Sequence, residues 1–250
     1  FTHILKPAGT AGFEMLPVVE WLCLELGRAA GFNVPDVALT AMPDGMSPAL
    51  IVERFDIRRS TEDLRRFALE DFCSVLDLPA SAKYDGTIER MARGLRPLST
   101  DPTADLEVLF RRAVFAWLIA DGDMHLKNLA LLKIAEAKAK SFTSVRFAPL
   151  YDAVTTRVFP GLAGDRMALK LNGKDDRLTR GDFLTLARTI GVSQGVAEAA
   201  IAELTTALTR AAGTVRLPAF AAKAEAASVV QGQIVALVHA RCGALADEAS

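Results

Sequence analysis

Residues Phe115 to Leu132 read F-A-W-L-I-A-D-G-D-M-H-L-K-N-L-A-L-L. An apolar run, Phe115 to Ala120, leads into five polar or charged side chains, Asp121, Asp123, His125, Lys127 and Asn128, and a second apolar run, Leu129 to Leu132, leads away. Apolar flanks of this kind belong to buried elements, so the polar residues read as a loop held at the edge of a core. Asp123 and Asn128 have four residues between them. That spacing serves phosphoryl transfer, with the Asp accepting a proton from the attacking hydroxyl and the Asn holding a magnesium ion. The same residues also read as turn and cap formers between a helix and a strand. A third reading makes D-G-D-M-H the carboxylates and imidazole of a hydrolase metal site.

Composition narrows the class of molecule. At 250 residues, 51% of them hydrophobic, the chain can bury a sizeable core as one large domain or two small lobes. Its 29 basic and 30 acidic residues leave a net charge of −1, which excludes a chain-wide electrostatic footprint for nucleic acid. Cys23, Cys73 and Cys242 are an odd number in apolar, helical contexts. They read as reduced core thiols of a cytoplasmic protein, and a disulfide framework or zinc site is not expected. No window of about 18 uncharged apolar residues occurs, so no membrane span is expected. The opening F-T-H-I-L-K is strand-like and lacks an initiator Met, which reads as a piece of something longer.

Taken in order, Phe1–Lys6 reads as a strand ended by Pro7 and Gly9, with Lys6 at its end. Lys6 is either an ordinary solvated lysine or one that reaches nucleotide phosphates. Leu16–Ala30 carries a helical stripe of Leu16, Val19, Leu22, Cys23 and Leu26, with Pro17 suited to the first turn and Gly31 to a C-terminal cap. Glu20 on that helix is either solvated or a partner for Lys6. Val34–Thr40 and Pro48–Val52 read as strands around a turn-rich Met42–Ser47, and the second runs into Glu53-Arg54-Phe55-Asp56. Beyond lie a short helix over Glu70–Leu76, a polar loop over Leu78–Gly86 and a long helix over Asp105–Ala120. After Leu132 a charged turn, Lys133–Lys140, precedes Val145-Arg146-Phe147, whose pairing back on Leu129 onward would return Asp152 to the side of Asn128. Residues 157–180 read as irregular and substrate-facing. Helices are expected over Phe183–Ile190, Val196–Ala211 and Phe220–Leu245.

The ordered set T-H-I-L-K-P, N-V-P, L-I-V-E-R-F-D, E-D-F-C, L-P-A-S-A-K-Y, D-M-H-L-K-N and P-L-Y-D resembles the HipA family of bacterial toxin serine/threonine kinases. The resemblance implies an α+β, divergent two-lobed protein-kinase-like fold. A small mixed N-lobe would cover 1–58 and a mostly helical C-lobe 59–250. It implies ATP and Mg2+ as cofactors, with Lys6 on the phosphates, Glu53, Arg54 and Phe55 as the hinge, and Asp56 near the ribose. Asp123 would be the catalytic base. His125, Lys127 and Asn128 would line the phosphate side, with Tyr151 beside the nucleotide and Asn128 and Asp152 as metal ligands. The family further implies a small helix-turn-helix antitoxin as partner, DNA contacted mainly through it, and a protein substrate such as an aminoacyl-tRNA synthetase. A Gly- and Ser-containing phosphate loop with an autophosphorylation site would precede the Lys6 strand. Two rivals accompany this reading. One is a catalytically silent co-repressor scaffold of the same shape, and the other a small-molecule kinase of the aminoglycoside or choline type.

Overall fold

The computed structural model describes residues 1–59, 64–136 and 139–247. Strand β1 (His3–Lys6) leads to helix α1 (Leu16–Ala29) and then to β2 (Val37–Thr40) and β3 (Ala49–Glu53). β3 is the centre of an antiparallel sheet ordered β1-β3-β2, with Lys6 opposite Leu50 and Val37 opposite Val52. The side-chain period of two sends Leu50 and Val52 into the core beside α1. The expected α1 stripe is there, and Val18 and Leu24 are buried as well, so the helix is enclosed on most sides. Pro17 sits in the first turn, and Gly31 closes the helix at φ 84°.

A hairpin, β4 (Ile57–Arg59) with β5 (Leu64–Arg66), connects to β6 (Ala68–Asp71). The second three-stranded sheet is β6-β7-β8, where β7 is Ala130–Ile134 and β8 is Ser144–Phe147. Its β7-β8 pair is the hairpin expected from the sequence, with Leu131 opposite Phe147. Three expectations change in detail. Glu70 and Asp71 end a strand, because Ala68–Asp71 finds backbone partners in β7. Helix α2 (Phe72–Val75) starts only after Asp71, whose carboxylate accepts the Ser74 N–H at 3.0 Å. Lys133 and Ile134 continue β7, and residues 137–138 of the expected charged turn lie outside the described residues.

The remaining elements are helical. Helix α3 (Ile88–Leu95) was not marked in the sequence reading, although Thr87 caps it by accepting the Arg90 N–H. Helix α4 (Pro102–Leu118) buries Leu109, Phe110, Ala113, Val114 and Phe115 at the centre of the core. Around it pack α3, α5 (Arg180–Ile190), α6 (Gln194–Thr214) and α7 (Glu225–Asp247). The single helix expected from Phe220 is divided, with a short 3-10 turn over Ala221–Lys223 preceding α7. By length and mean hydropathy alone α7 could cross a membrane. It nonetheless buries Val230, Ile234, Val238 and Leu245 against the other helices. Arg241 on α7 lies over the Trp117 ring at 3.9 Å and donates to its carbonyl, which fastens α7 to α4.

Close approach at one residue sets how α1 meets the C-terminal part of the chain. A Cβ on Gly27 would lie 2.2 Å from Leu150 Cδ2 and 3.4 Å from Phe115 Cζ, so a larger residue there would force the buried Leu150 side chain to shift. The Leu150 N–H also donates to Asn33 O at 2.7 Å, so both side chain and backbone hold this contact. Gly27→Ala gains about 0.5–1 kcal/mol of helix propensity. It overpacks a closed site at a cost of about 1–3 kcal/mol. The expected outcome is net destabilisation, read as a lower denaturant midpoint with an unchanged slope. A variant as stable as wild type would refute this account of the contact.

Candidate active site

Lys6 stands at the end of β1 because its strand pairs with β3, and Glu20 faces it from the buried side of α1. The Lys6 ammonium hydrogen-bonds Glu20 Oε1 at 2.7 Å and Asp152 Oδ1 at shorter range. Burial pulls the Lys6 pKa down, but the two carboxylates outweigh it and leave the group raised and charged. Burial pushes Glu20 up to about 7 despite that ammonium. The sequence left the Lys6–Glu20 pairing open, and the fold makes it.

Two cavities meet at this cluster, since Lys6, Glu20 and Asp152 line both. The first, of about 760 Å³, is bounded by Val52, the segment Glu53–Asp56, Leu69 and Tyr151. Phe55 and Tyr151 pack ring to ring at 5.5 Å, forming an aromatic wall. Arg54 grips Asp56 through both carboxylate oxygens at 2.9 and 2.5 Å, which holds Asp56 below the usual carboxylate range. The Glu53 and Arg54 amides are already used, on Asp36 O and Thr2 O at 2.8 Å each. Among the described residues the Phe55 N–H has no protein acceptor, so it is the free donor on this edge.

The second cavity, of about 690 Å³, contains Asp123, Asn128 and Asp152. It is also lined by Phe13, Phe159, Leu162, Asp165, Arg166 and Met167, drawn partly from the irregular 157–180 segment. The loop bearing Asp123 is shaped from behind. Asp121 Oδ1 accepts the Asp123 N–H at 3.0 Å, and Asn128 Nδ2 donates to Asp123 O at 2.9 Å. The exit from α4 passes through Ala120 at φ 57°, and Asp152 is itself at φ 49°. Left-handed backbone is costly for alanine and tolerated by aspartate, and strain of this kind gathers at functional sites.

Not every expected residue reaches the cleft. His125 is buried behind Asp123, with Nε2 4.0 Å from Asp123 Oδ1, and its Nδ1 has no hydrogen-bond partner among the described residues. Lys127 turns to Asp71, which it pairs at 2.5 Å, and lines neither cavity. Arg66, Phe67 and Leu69 in the first cavity, and Tyr84 and Asp165 in the second, were not singled out as site residues. Their positions depend on long-range pairing that local pattern does not encode. Tyr84 alone left a signal, as the end of L-P-A-S-A-K-Y.

A cleft between a small antiparallel sheet and a helical body, with lysine, glutamate and two aspartates at its centre, defines a molecule of the kinase-like fold class. The chain belongs to the family described as the HipA-like C-terminal domain, whose model matches residues 1–212. A Sinorhizobium fredii protein named "Putative kinase Y4mE" is 31% identical over 199 residues, which is 76% of this chain and 44% of that protein. The chain thus spans less than half the length of that relative. Among solved structures, HipA of the Shewanella oneidensis HipA, HipB and operator DNA complex superimposes with a TM-score of 0.77 at 18% identity. That match covers 96% of this chain and 57% of the other. The Helicobacter pylori proinflammatory kinase CtkA gives 0.60 at 15% identity, covering 98% and 91%. At these identities the two structures speak for the fold, and they bear out the kinase-like α+β reading.

Asp121 offers a test of the loop's support. Burial pushes its carboxyl up to about 8, with the Asp123 charge adding to the effect. The ordinary value is 3.8, so across the window between them the folded chain holds a proton that the unfolded chain releases. Stability therefore falls as pH rises from about 4 to about 8. Asp121→Asn keeps an acceptor for the Asp123 N–H and removes the titration, so its stability profile should be flatter over that range. Asp121→Ala leaves the amide without its acceptor and should cost about 1–3 kcal/mol. Chemical denaturation of both variants across the pH range checks this, and an unchanged slope in Asp121→Asn would rule it out.

Proposed function

We propose that this chain is the core of an ATP- and Mg2+-dependent kinase that transfers the γ-phosphate to a serine or threonine hydroxyl of a protein. The observation that carries the reading is the meeting of two cavities at Lys6, Glu20 and Asp152, with Asp123 and Asn128 on one side and a free backbone donor on the other. In this reading the adenine lies against Phe55 and Tyr151 and accepts from the Phe55 N–H, and the ribose lies toward Asp56. Glu53 to Phe55 act as the hinge between a lobe of residues 1–58 and one of 59–250. Lys6 neutralises phosphate charge, and Glu20 keeps its ammonium aimed into the cleft.

The donor set fits magnesium. Asn128 Nδ2 is committed to Asp123 O, which leaves Oδ1 as the atom able to ligate, and Asp152 supplies one carboxylate. Among the described residues no group of three or more His, Cys, Asp or Glu forms a closed cage. One carboxylate and one amide oxygen match an ion that keeps its waters and takes phosphate oxygens. When bound with ATP, magnesium offsets charge on the bridging phosphates. Asp123 receives or orients the proton of the acceptor hydroxyl, and the rest of the site works by positioning. His125 and Lys127 support the loop from behind, through Asp123 and Asp71.

Family membership supports the wider reading. The HipA structure most relevant here is a complex with HipB and operator DNA, and we infer an analogous small helix-turn-helix antitoxin for this protein, with DNA contacted mainly through it. A translation component such as an aminoacyl-tRNA synthetase is the proposed substrate, and the cytoplasm the proposed location, in keeping with three buried, unpaired cysteines. Strong expression of the full-length protein without its partner should arrest growth, and normal growth would refute the toxin reading.

The two aspartates have separable jobs. Asp152→Asn weakens metal coordination, so the melting shift induced by Mg-ATP should shrink. Asp123→Asn leaves both proposed ligands in place, so the shift should persist while transfer from labelled ATP falls by about a hundredfold or more. Normal transfer by Asp123→Asn, or wild-type binding and transfer by Asp152→Asn, would show the assignment to be wrong.

A further inference from the structure

The motif L-P-A-S-A-K-Y ends on a tyrosine that the reading above leaves without a task. Tyr84 is half-exposed, and its hydroxyl donates to Asp123 Oδ1 at 2.7 Å. Its ring meets the His125 imidazole edge-on at 5.2 Å, and the Lys83 ammonium lies over the ring at 4.8 Å from its centroid. The loop that carries it is fastened to the loop it touches. The Leu126 N–H donates to Lys83 O at 3.0 Å, and Leu126 itself is fully buried. Within the tyrosine loop, Ala82 and Asp85 close successive turns on Pro79 O and Ala82 O at 2.9 Å each. The phenol is thus placed by two backbone turns and a bond to the neighbouring residue of the Asp123 loop.

Asp123 has two carboxylate oxygens, and among the described residues only one of them accepts a hydrogen bond. Among the described residues Oδ1 receives Tyr84 and faces His125 Nε2 at 4.0 Å, whereas no hydrogen bond reaches Oδ2. Asp123 and Tyr84 both line the second cavity, the one shared with Asn128 and Asp152. We propose that Tyr84 is a positioning residue for the acceptor step, holding Asp123 Oδ1 so that Oδ2 receives the acceptor hydroxyl. Burial and the neighbouring carboxylate push the phenol up to about 12, so it stays a donor throughout the neutral range.

This inference rests on the kinase reading. In the step concerned, the acceptor O–H gives its proton to Asp123 Oδ2 and the acceptor oxygen bonds to the γ-phosphorus. The bond from that phosphorus to the β–γ bridging oxygen breaks, and ADP leaves with its electron pair. Tyr84 exchanges no proton. It fixes the rotation of the carboxylate, which without it would turn about its own side-chain bonds and present Oδ2 only part of the time.

The test uses the full-length protein, labelled ATP with magnesium, and a generic serine- and threonine-rich acceptor such as casein, with wild type, Asp123→Asn and Tyr84→Phe compared. Tyr84→Phe keeps the ring contacts with His125 and Lys83 and removes only the hydroxyl. Losing a hydrogen bond to a charged group should lower kcat by roughly tenfold or more. KM for ATP and for acceptor should stay within about twofold, because the contact acts in the transfer step. The melting temperature and the nucleotide-induced shift should be retained. Wild-type kcat in Tyr84→Phe, or a loss confined to the acceptor KM, overturns the inference while leaving the kinase reading intact if Asp123→Asn is inactive. A lower kcat that disappears on normalising to folded, nucleotide-binding protein also overturns it, since a purely structural tyrosine would behave that way. A wild-type protein that transfers no phosphate overturns the kinase reading, and this inference with it.

Discussion

One ammonium group joins three parts of the chain that are remote in sequence or in secondary structure. Lys6 comes from an edge strand, Glu20 from the buried side of α1, and Asp152 from a segment 146 residues further on. A carboxylate as buried as Glu20 would cost several kcal/mol without a cation beside it, so the helix can bury that face only where β1 delivers Lys6. Such a pair adds little net stability, because desolvation consumes most of the attraction. Its value is positional. It sets where the floor of one cavity ends and the other begins.

The rest of the fold can be understood as what keeps Asp152 opposite Lys6. Arg112, buried in α4, donates to Pro149 O at 2.8 Å, and Leu150 is clamped between Gly27 and Asn33. Those contacts hold the segment that follows β8 against α4 and α1. On the other side, β6 and β7 pair so that the Phe72 N–H reaches Leu126 O and Leu129 O at 2.9 and 3.1 Å, tying the Asp123 loop to the second sheet. Ala120, where the chain leaves α4, and Asp152, which lines the cleft, both have positive φ. Packing over-determines both positions, which is how backbone strain persists in a folded chain.

Much of this architecture is present in local pattern. The stripe on α1, the apolar runs on either side of D-G-D-M-H-L-K-N and the β7–β8 hairpin are periodic signals, and each forms in the folded chain. The spacing of Asp123 and Asn128, with Asp152 beyond a hairpin, was enough to nominate one cavity. What pattern misplaced were residues whose partners are remote. Glu70 and Asp71 read as helical until β7 pairs with them, and Lys127, which the family resemblance put on the phosphate side, pairs with Asp71 instead.

The sequence by itself nominated the side chains for the proposed chemistry, through the spacing of Asp123 and Asn128 and the ordered set of motifs, although the same residues also read as turn and cap formers. It also determined the long helices α1 and α4 and the return of Asp152, since these follow from hydrophobic period and turn residues over short distances. Only the tertiary structure decided which of those groups face one another. Whether Lys6 is solvated or bound to Glu20, whether Tyr84 meets Asp123, and which amide between Glu53 and Phe55 is left free all depend on contacts across tens of residues or more. Such contacts are selected by burial and packing of the whole core, a collective free energy that no local window of sequence contains.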